Sequence, residues 1–383
     1  MTEAQQLFVL LAVLYLVECT GWAHAHAYAF HSWLGESFKP VRPGRWFGNP
    51  DGGLLVRHLL PPLGTHFLAQ WCPISFSRDA IVGYVPQAVG TVDRPNQSAQ
   101  CWRRDDVEEV RVDGKYVLVN GERFVRCVGD PEARHYADRI RQWQTGGQPL
   151  ELIARWLDES LDVDAIDSRW QEFVQRSAAS RFFGNLLFCL LFVAGPFLVW
   201  QQGLLRAWVF LIIPLVPLVL GAVITFVRLH RFFVPDDRVD RILHAFVAAV
   251  YPLEACRAVD MVSRHVFTGY HPLAVACALC REDDFRDFGR RFLSDLHFPL
   301  QPVFHLEEPA ARTVVEDFRE LQIDACNRML AREEIELGTL MTSWMPEEGS
   351  QTYCPRCQSQ FVLETGLCSV CGIELLNWGE ELG

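Results

Sequence analysis

Four cysteines stand in two tight pairs near the end of the chain, Cys354-Pro-Arg-Cys357 and Cys368-Ser-Val-Cys371, with ten residues between the pairs. Two thiolates from each turn can converge on one tetrahedral ion at about 2.3 Å per sulfur, and a closed shell of four thiolates leaves no position open for a substrate. The chemistry this spacing points to is structural metal binding, with zinc as the expected cofactor.

A second set of candidate groups is Glu18, His24, His26 and His31. If the transmembrane helix expected within residues 4–31 spans Leu7–Ala29, Glu18 lies near the bilayer centre with His24 and His26 less than three turns further on. Ionisable groups in lipid are costly and mark functional sites. The chemistry would be a proton relay, or a transition-metal or haem site. At 100° per residue His24 and His31 share a face, whereas Glu18 and His26 lie about 80° apart on another, so one helix does not gather all four. With the span shifted to residues 4–22, Glu18 moves to an interface and the histidines snorkel among headgroups. Cys277-Ala-Leu-Cys280, with His265 and His271 upstream, lacks the Pro or Gly of a metal-binding turn. It reads as core, since cysteine packs as a small hydrophobe.

The elements that must position these residues begin with the apolar runs. Residues 182–205 and 207–227 contain no Asp, Glu, Lys or Arg. The stretches 183–200 and 207–227 match the roughly 20 residues that cross a hydrocarbon core, and the short link 201–206 makes them a helical hairpin. Arg176 and Arg181 precede it and Arg228, Arg231, Arg238 and Arg241 follow, while the link holds only Arg206. Basic flanks stay inside. The expectation is three spans with the N-terminus outside and the soluble parts cytoplasmic. Of 35 basic residues only Lys39 and Lys115 are lysine, a bias that suits a GC-rich bacterial genome, so the membrane is expected to be the bacterial inner membrane.

Between the first span and the hairpin, residues 53–145 read as β-rich. The clearest part is a three-strand meander, Val107–Val112, Tyr116–Val119 and Arg123–Val128, joined by Asp113-Gly114 and Asn120-Gly121, pairs that accept the positive φ angles of tight hairpins. Asp130 and Pro131 then open a helix through about Trp143, carrying Tyr136, Ile140 and Trp143 on its apolar face. Seven short strands closed by one helix over 53–143 resemble the pleckstrin-homology-like domains found beside bacterial membrane spans. That resemblance implies a binding or assembly module rather than a catalytic one. An unrelated small β-barrel or sandwich with an appended helix is the alternative. A connecting helix is expected over 150–181 and a helical cytoplasmic region over 236–341.

The terminal module, residues 350–378, resembles the short four-cysteine zinc ribbons that decorate many bacterial proteins, on Cys354, Cys357, Cys368, Cys371 and the following Gly372. Iron is bound by similar pairs, and spacing does not separate the two metals. Around this module, residues 344–383 set Arg356 against six glutamates. Net charge is −12. Both facts speak against a nucleic-acid partner, which needs a basic face. No Walker loop, dinucleotide fingerprint, His-Glu-x-x-His or nucleophile motif occurs.

The fold expected is therefore a multi-domain α+β membrane protein: an N-terminal transmembrane helix, a small β-rich domain with a C-terminal helix, a transmembrane hairpin, a helical cytoplasmic region and a zinc ribbon. The expected function is a scaffold or accessory subunit of a membrane complex, whose partners are the lipid bilayer and other membrane or cytoplasmic proteins. The alternative is a membrane-embedded redox, metal- or haem-dependent enzyme using Glu18, His24, His26 and His31.

Overall fold

The apolar run at the N-terminus folds as a helix, α1, but only over Glu3–Glu18. Thr2 opens it with a capping box: its Oγ1 accepts from the Gln5 N–H at 3.3 Å while Gln5 Oε1 accepts from the Thr2 N–H at 2.9 Å. The chain then turns into strands β1 (Thr20–His24) and β2 (Ala27–Ser32). The transmembrane helix expected over 4–31 is thus corrected to 16 helical residues, about 24 Å long and short of the roughly 30 Å of a hydrocarbon core. Long-range pairing overrides the local apolar pattern. β1 pairs antiparallel with β4 (Gly52–Val56), and β2 lies between β3 (Phe38–Val41) and β5 (His66–Gln70).

This computed structural model describes residues 1–24, 27–32, 38–41, 52–56, 66–70, 74–86, 97–299, 309–341 and 346–378. Two units divide the chain: Met1–Trp71, Val128–His135 and Asp164–Gly269 form one, and Cys72–Cys127, Tyr136–Val163 and Tyr270–Gly383 form the other.

In the first unit, α4 (Val163–Cys189) continues through a π-helical turn at Leu190–Ala194 into α5 (Gly195–Gln202). Pro196 supplies no N–H and its ring crowds the preceding turn, which the wider π turn relieves. The connecting helix expected over 150–181 and the span expected over 183–200 are therefore redrawn: α3 (Pro149–Ser160) stands alone, and one rod of 40 residues follows, Val163–Gln202. Gly203, at φ +75°, makes the turn to α6 (Leu204–Phe233). Both helices are long and apolar enough to cross a membrane. Only 22% and 11% of their most apolar stretches are buried, unlike the core helix of a soluble protein. Where they cross, Gly221 is needed: a Cβ there would stand 2.4 Å from the Phe183 ring.

Three more helices belong to this unit: α7 (Arg238–Val250), α8 (Pro252–Cys256) and α9 (Ala258–Ser263). The helical region expected over 236–341 is thus not one body, because residues up to Gly269 pack with the hairpin. α1 lies along α5, with Glu3 Oε2 accepting from the Leu204 N–H at 3.1 Å and Tyr15 edge-on to Phe188 and Phe192. Near the strands, Phe67 of β5 meets Phe38, Trp170, Phe173 and Phe267 in edge contacts.

The second unit opens with two three-stranded sheets, β6 (Ile74–Phe76), β7 (Ala80–Pro86) and β8 (Gln97–Arg103), then β9 (Val110–Asp113), β10 (Tyr116–Val119) and β11 (Glu122–Arg126). The latter is the expected meander, with Gly114, Asn120 and Gly121 at positive φ in its turns. Helix α2 (Asp130–Thr145) follows, and its buried Trp143 donates to the Ser77 carbonyl at 2.8 Å. The pleckstrin-homology-like resemblance over 53–143 fails at its start: β4 and β5 pair with β1 and β2, leaving six strands with α2. Helix α12 (Pro309–Arg332) packs on β6, β7 and β8, and α11 (Glu282–His297) packs on it in turn, with α10 (Pro272–Leu279) and α13 (Leu337–Met341) against α11. Val314, Phe318, Cys326 and Leu330 of α12 are buried, so that stripe is core.

Candidate metal centre

The C-terminal module is a small sheet in the order β13-β12-β14, formed by β12 (Thr352–Tyr353), β13 (Gln360–Phe361) and β14 (Leu376–Asn377). Three two-residue strands bury too little apolar surface to hold a fold. The two cysteine turns supply the rest, and they are built alike. The Gln358 N–H reaches the Cys354 carbonyl at 2.8 Å, and the Gly372 N–H reaches the Cys368 carbonyl at 2.8 Å. The residue after each second cysteine is left-handed, Gln358 at φ +60° and Gly372 at φ +67°. In each turn the N–H of the second cysteine points at the sulfur of the first, Cys357 to Cys354 at 3.5 Å and Cys371 to Cys368 at 3.4 Å. Such donors favour thiolates.

These turns bring the four sulfurs within 4.8 Å of one another, with Cys357 and Cys368 at 3.6 Å. Four ligands at zinc–sulfur bond length define a tetrahedron with edges of about 3.8 Å, so sulfurs that all lie within 4.8 Å of one another could hold such an ion after small shifts. Cys354 and Cys368 are buried. Burial opposes ionisation of Cys357, but the Ser359 hydroxyl and N–H and the neighbouring thiols outweigh it and bring the thiol down to about 7. Cys371 is pushed up to about 12 by burial and by Cys357. A divalent cation would displace the protons these groups hold.

Packing around the cluster is specific. Leu375, Phe361 and Cys371 close over Cys354 and Cys368. Tyr353 stacks on Trp378 with ring centroids 4.6 Å apart, and the Trp378 indole N–H donates to Ser350 Oγ at 2.9 Å. Arg356, inside the first cysteine turn, reaches α11: its guanidinium lies 2.6 Å from an Asp295 carboxylate oxygen and 2.5 Å from the Phe298 carbonyl.

No known protein family, curated protein or solved structure matches the chain. What is recognisable is the cluster itself, a zinc-ribbon-like arrangement of four cysteines that could bind a metal ion. Among the described residues it is the one group of three or more His, Cys, Asp or Glu side chains close enough to share an ion.

Among the described residues the other candidates form no such group. Glu18 is the last residue of α1 and is half-buried. His24 ends β1 opposite Gly52, and His31 lies in β2 between Lys39 and His66, so the two belong to different sheets. His26 lies outside the described residues. His271 caps α10, its Nδ1 accepting from the Leu273 N–H at 3.3 Å. Burial drives the Cys277 and Cys280 thiols up to about 12, which suppresses the thiolate a redox pair would use.

Sequence reasoning missed a polar chain in the first unit. Asp240 contacts His230 Nε2 at 3.4 Å and His244 Nε2 at 3.1 Å, and His244 Nδ1 lies 3.3 Å from Glu254. Beyond it a buried Arg257 pairs with Asp260 at 2.5 Å and donates to Cys19 Sγ at 2.6 Å. The spacings of Asp240 with His244 and of Arg257 with Asp260 were legible as helix neighbours. Their partners on α1, α6 and α8 were not.

Proposed function

We propose that the chain is a membrane-embedded scaffold or accessory subunit of a membrane complex, held in the bilayer by the α4–α6 hairpin and carrying a structural zinc ribbon as a docking module. The observation that carries this reading is the closed set of four sulfurs within 4.8 Å, a geometry that builds a module and leaves no open coordination position for turnover. The exposed apolar surface of the hairpin supports the bilayer as one partner.

Sidedness follows from charge. Arg176, Arg181, Arg228 and Arg231 flank the hairpin at the end away from Gly203, so that end faces the cytoplasm of a bacterial cell and the link faces outward. Glu3 bonds at the link, which supports reading the N-terminus as outside. The ribbon's one arginine is engaged by Asp295, and its remaining charge is acidic, which favours protein over nucleic acid as its partner.

The test is cross-linking in intact membranes with the native chain and Cys354→Ser. The native protein is expected to resist carbonate extraction and to show protein adducts that the variant loses while staying in the membrane. Extraction by carbonate, or an unchanged adduct pattern in the variant, would contradict the reading.

A further inference from the structure

Helix α7 carries a wide apolar face that no described residue of its own unit covers. Val239, Ile242, Leu243, Phe246 and Val250 are 79%, 58%, 55%, 67% and 68% exposed. At 100° per residue these five fall within one arc of about 100°, while Asp240, His244 and Ala248 fall on the opposite side. That opposite side packs on α6. Two points fix the register: Asp240 lies beside His230 at 3.4 Å, and Ala248 shares a buried cluster with Ala222 and Leu187. The residue number rises along α7 as it falls along α6, so the helices are antiparallel. From Asp240 to Ala248 the helix climbs about 12 Å. Ala222, the residue it reaches, lies well inside the uncharged stretch 207–227.

Charge follows the same boundary. After Arg241 no Asp, Glu, Lys or Arg occurs until Glu254. The register also sets Phe246 level with Ile224 and Val250 level with Leu220, and both α6 residues are exposed, at 44% and 58%. The apolar face of α7 thus continues the one on α6. From the other end, α1 runs from Leu204 down to the same depth, where Tyr15 and Cys19 meet Leu253.

We propose that α7 is a re-entrant helix whose occupant on its exposed face is lipid. It enters the bilayer from the Phe233 end of α6, runs back to the level of Ala222, turns at Tyr251-Pro252 and leaves through α8 and α9. α1 and α7 then form two part-spans that approach from opposite sides of one hairpin. Of the polar chain, Glu254 is buried just after the Tyr251-Pro252 turn, half-buried His244 reaches it at 3.3 Å, and Asp240 lies at the start of α7 beside His230, so the polar groups that enter this depth are paired within the protein. This inference rests on the membrane reading above, and it moves residues 238–263 out of the cytoplasm expected for them.

The test uses the full chain in phosphatidylcholine–phosphatidylglycerol vesicles containing radiolabelled phospholipid. A photoreactive benzoylphenylalanine replaces Phe246 or Val250, with Ile213 as the span control and Val362 of the ribbon as the water control. Lipid adducts at 246 and 250 equal to those at 213, and background at 362, are expected. Adducts at 213 with only background or protein adducts at 246 and 250 would overturn the re-entrant helix and leave the hairpin standing. Background at 213 as well would overturn the membrane reading itself.

Discussion

The guanidinium of Arg356 lies 2.6 Å from the carboxylate of Asp295, tying the first cysteine turn to helix α11 of the same unit. Both side chains are mostly shielded, and the same guanidinium also bonds the Phe298 carbonyl. Arg356→Ala should therefore loosen the ribbon by about 1–3 kcal/mol, the range for a charge-assisted hydrogen bond of low exposure. Hydrogen exchange over residues 352–378 should accelerate while bound metal is unchanged. Unaltered exchange would mean that the contact contributes nothing.

Arg257 and Asp260 are 2% and 7% exposed and 2.5 Å apart. Replacing one partner leaves a buried charge uncompensated, at a cost of about 3–5 kcal/mol, whereas replacing both with apolar side chains is close to neutral. Thermal unfolding in detergent should show Asp260→Asn strongly destabilised and the double variant Arg257→Met, Asp260→Leu recovering most of the loss. A double variant as unstable as the single one would assign the cost to packing with Cys19 and Tyr15.

A Cβ at Gly221 would meet the Phe183 ring at 2.4 Å, so the ring must shift where α4 and α6 cross. Gly221→Val should cost about 1–3 kcal/mol, the usual penalty for overpacking. Adding Phe183→Ala should relieve part of it. Stability of Gly221→Val equal to the native chain would show that the helices separate without cost.

Glu132 is buried and accepts a hydrogen bond from the Val128 N–H at 2.8 Å, yet burial raises its carboxyl to about 8. Its folded value lies above its unfolded one, so folding takes up a proton. Stability is then fullest below about pH 4.5 and is lost as pH rises towards 8. His265 and His271, lowered to about 3 by burial, act in the other direction, their contribution being lost as pH falls below 6.5. A dome-shaped profile follows, and Glu132→Gln should flatten its alkaline limb alone, by a few kcal/mol. A limb unchanged in that variant would remove Glu132 as its source.

How much of this was legible in the sequence depended on range. The cysteine turns were, because each ligand pair is local and the sulfurs need only two short loops to meet. The meander was legible through Asp113-Gly114 and Asn120-Gly121, whose positive φ angles are seen at Gly114, Asn120 and Gly121. The end of α1 was not, since it is decided by the pairing of Thr20 with Val56 and Ala29 with Leu68. The return of α7 along α6 was hidden for the same reason: Asp240 finds His230 only after the chain has reversed.

The most direct test of the central claim is the metal content and visible absorbance of the detergent-purified chain beside its Cys354→Ser variant. The account predicts a colourless protein with one zinc per chain, lost in the variant while the protein stays membrane-bound. Native protein without zinc, zinc retained by Cys354→Ser, or the visible bands of an iron–thiolate centre would contradict it.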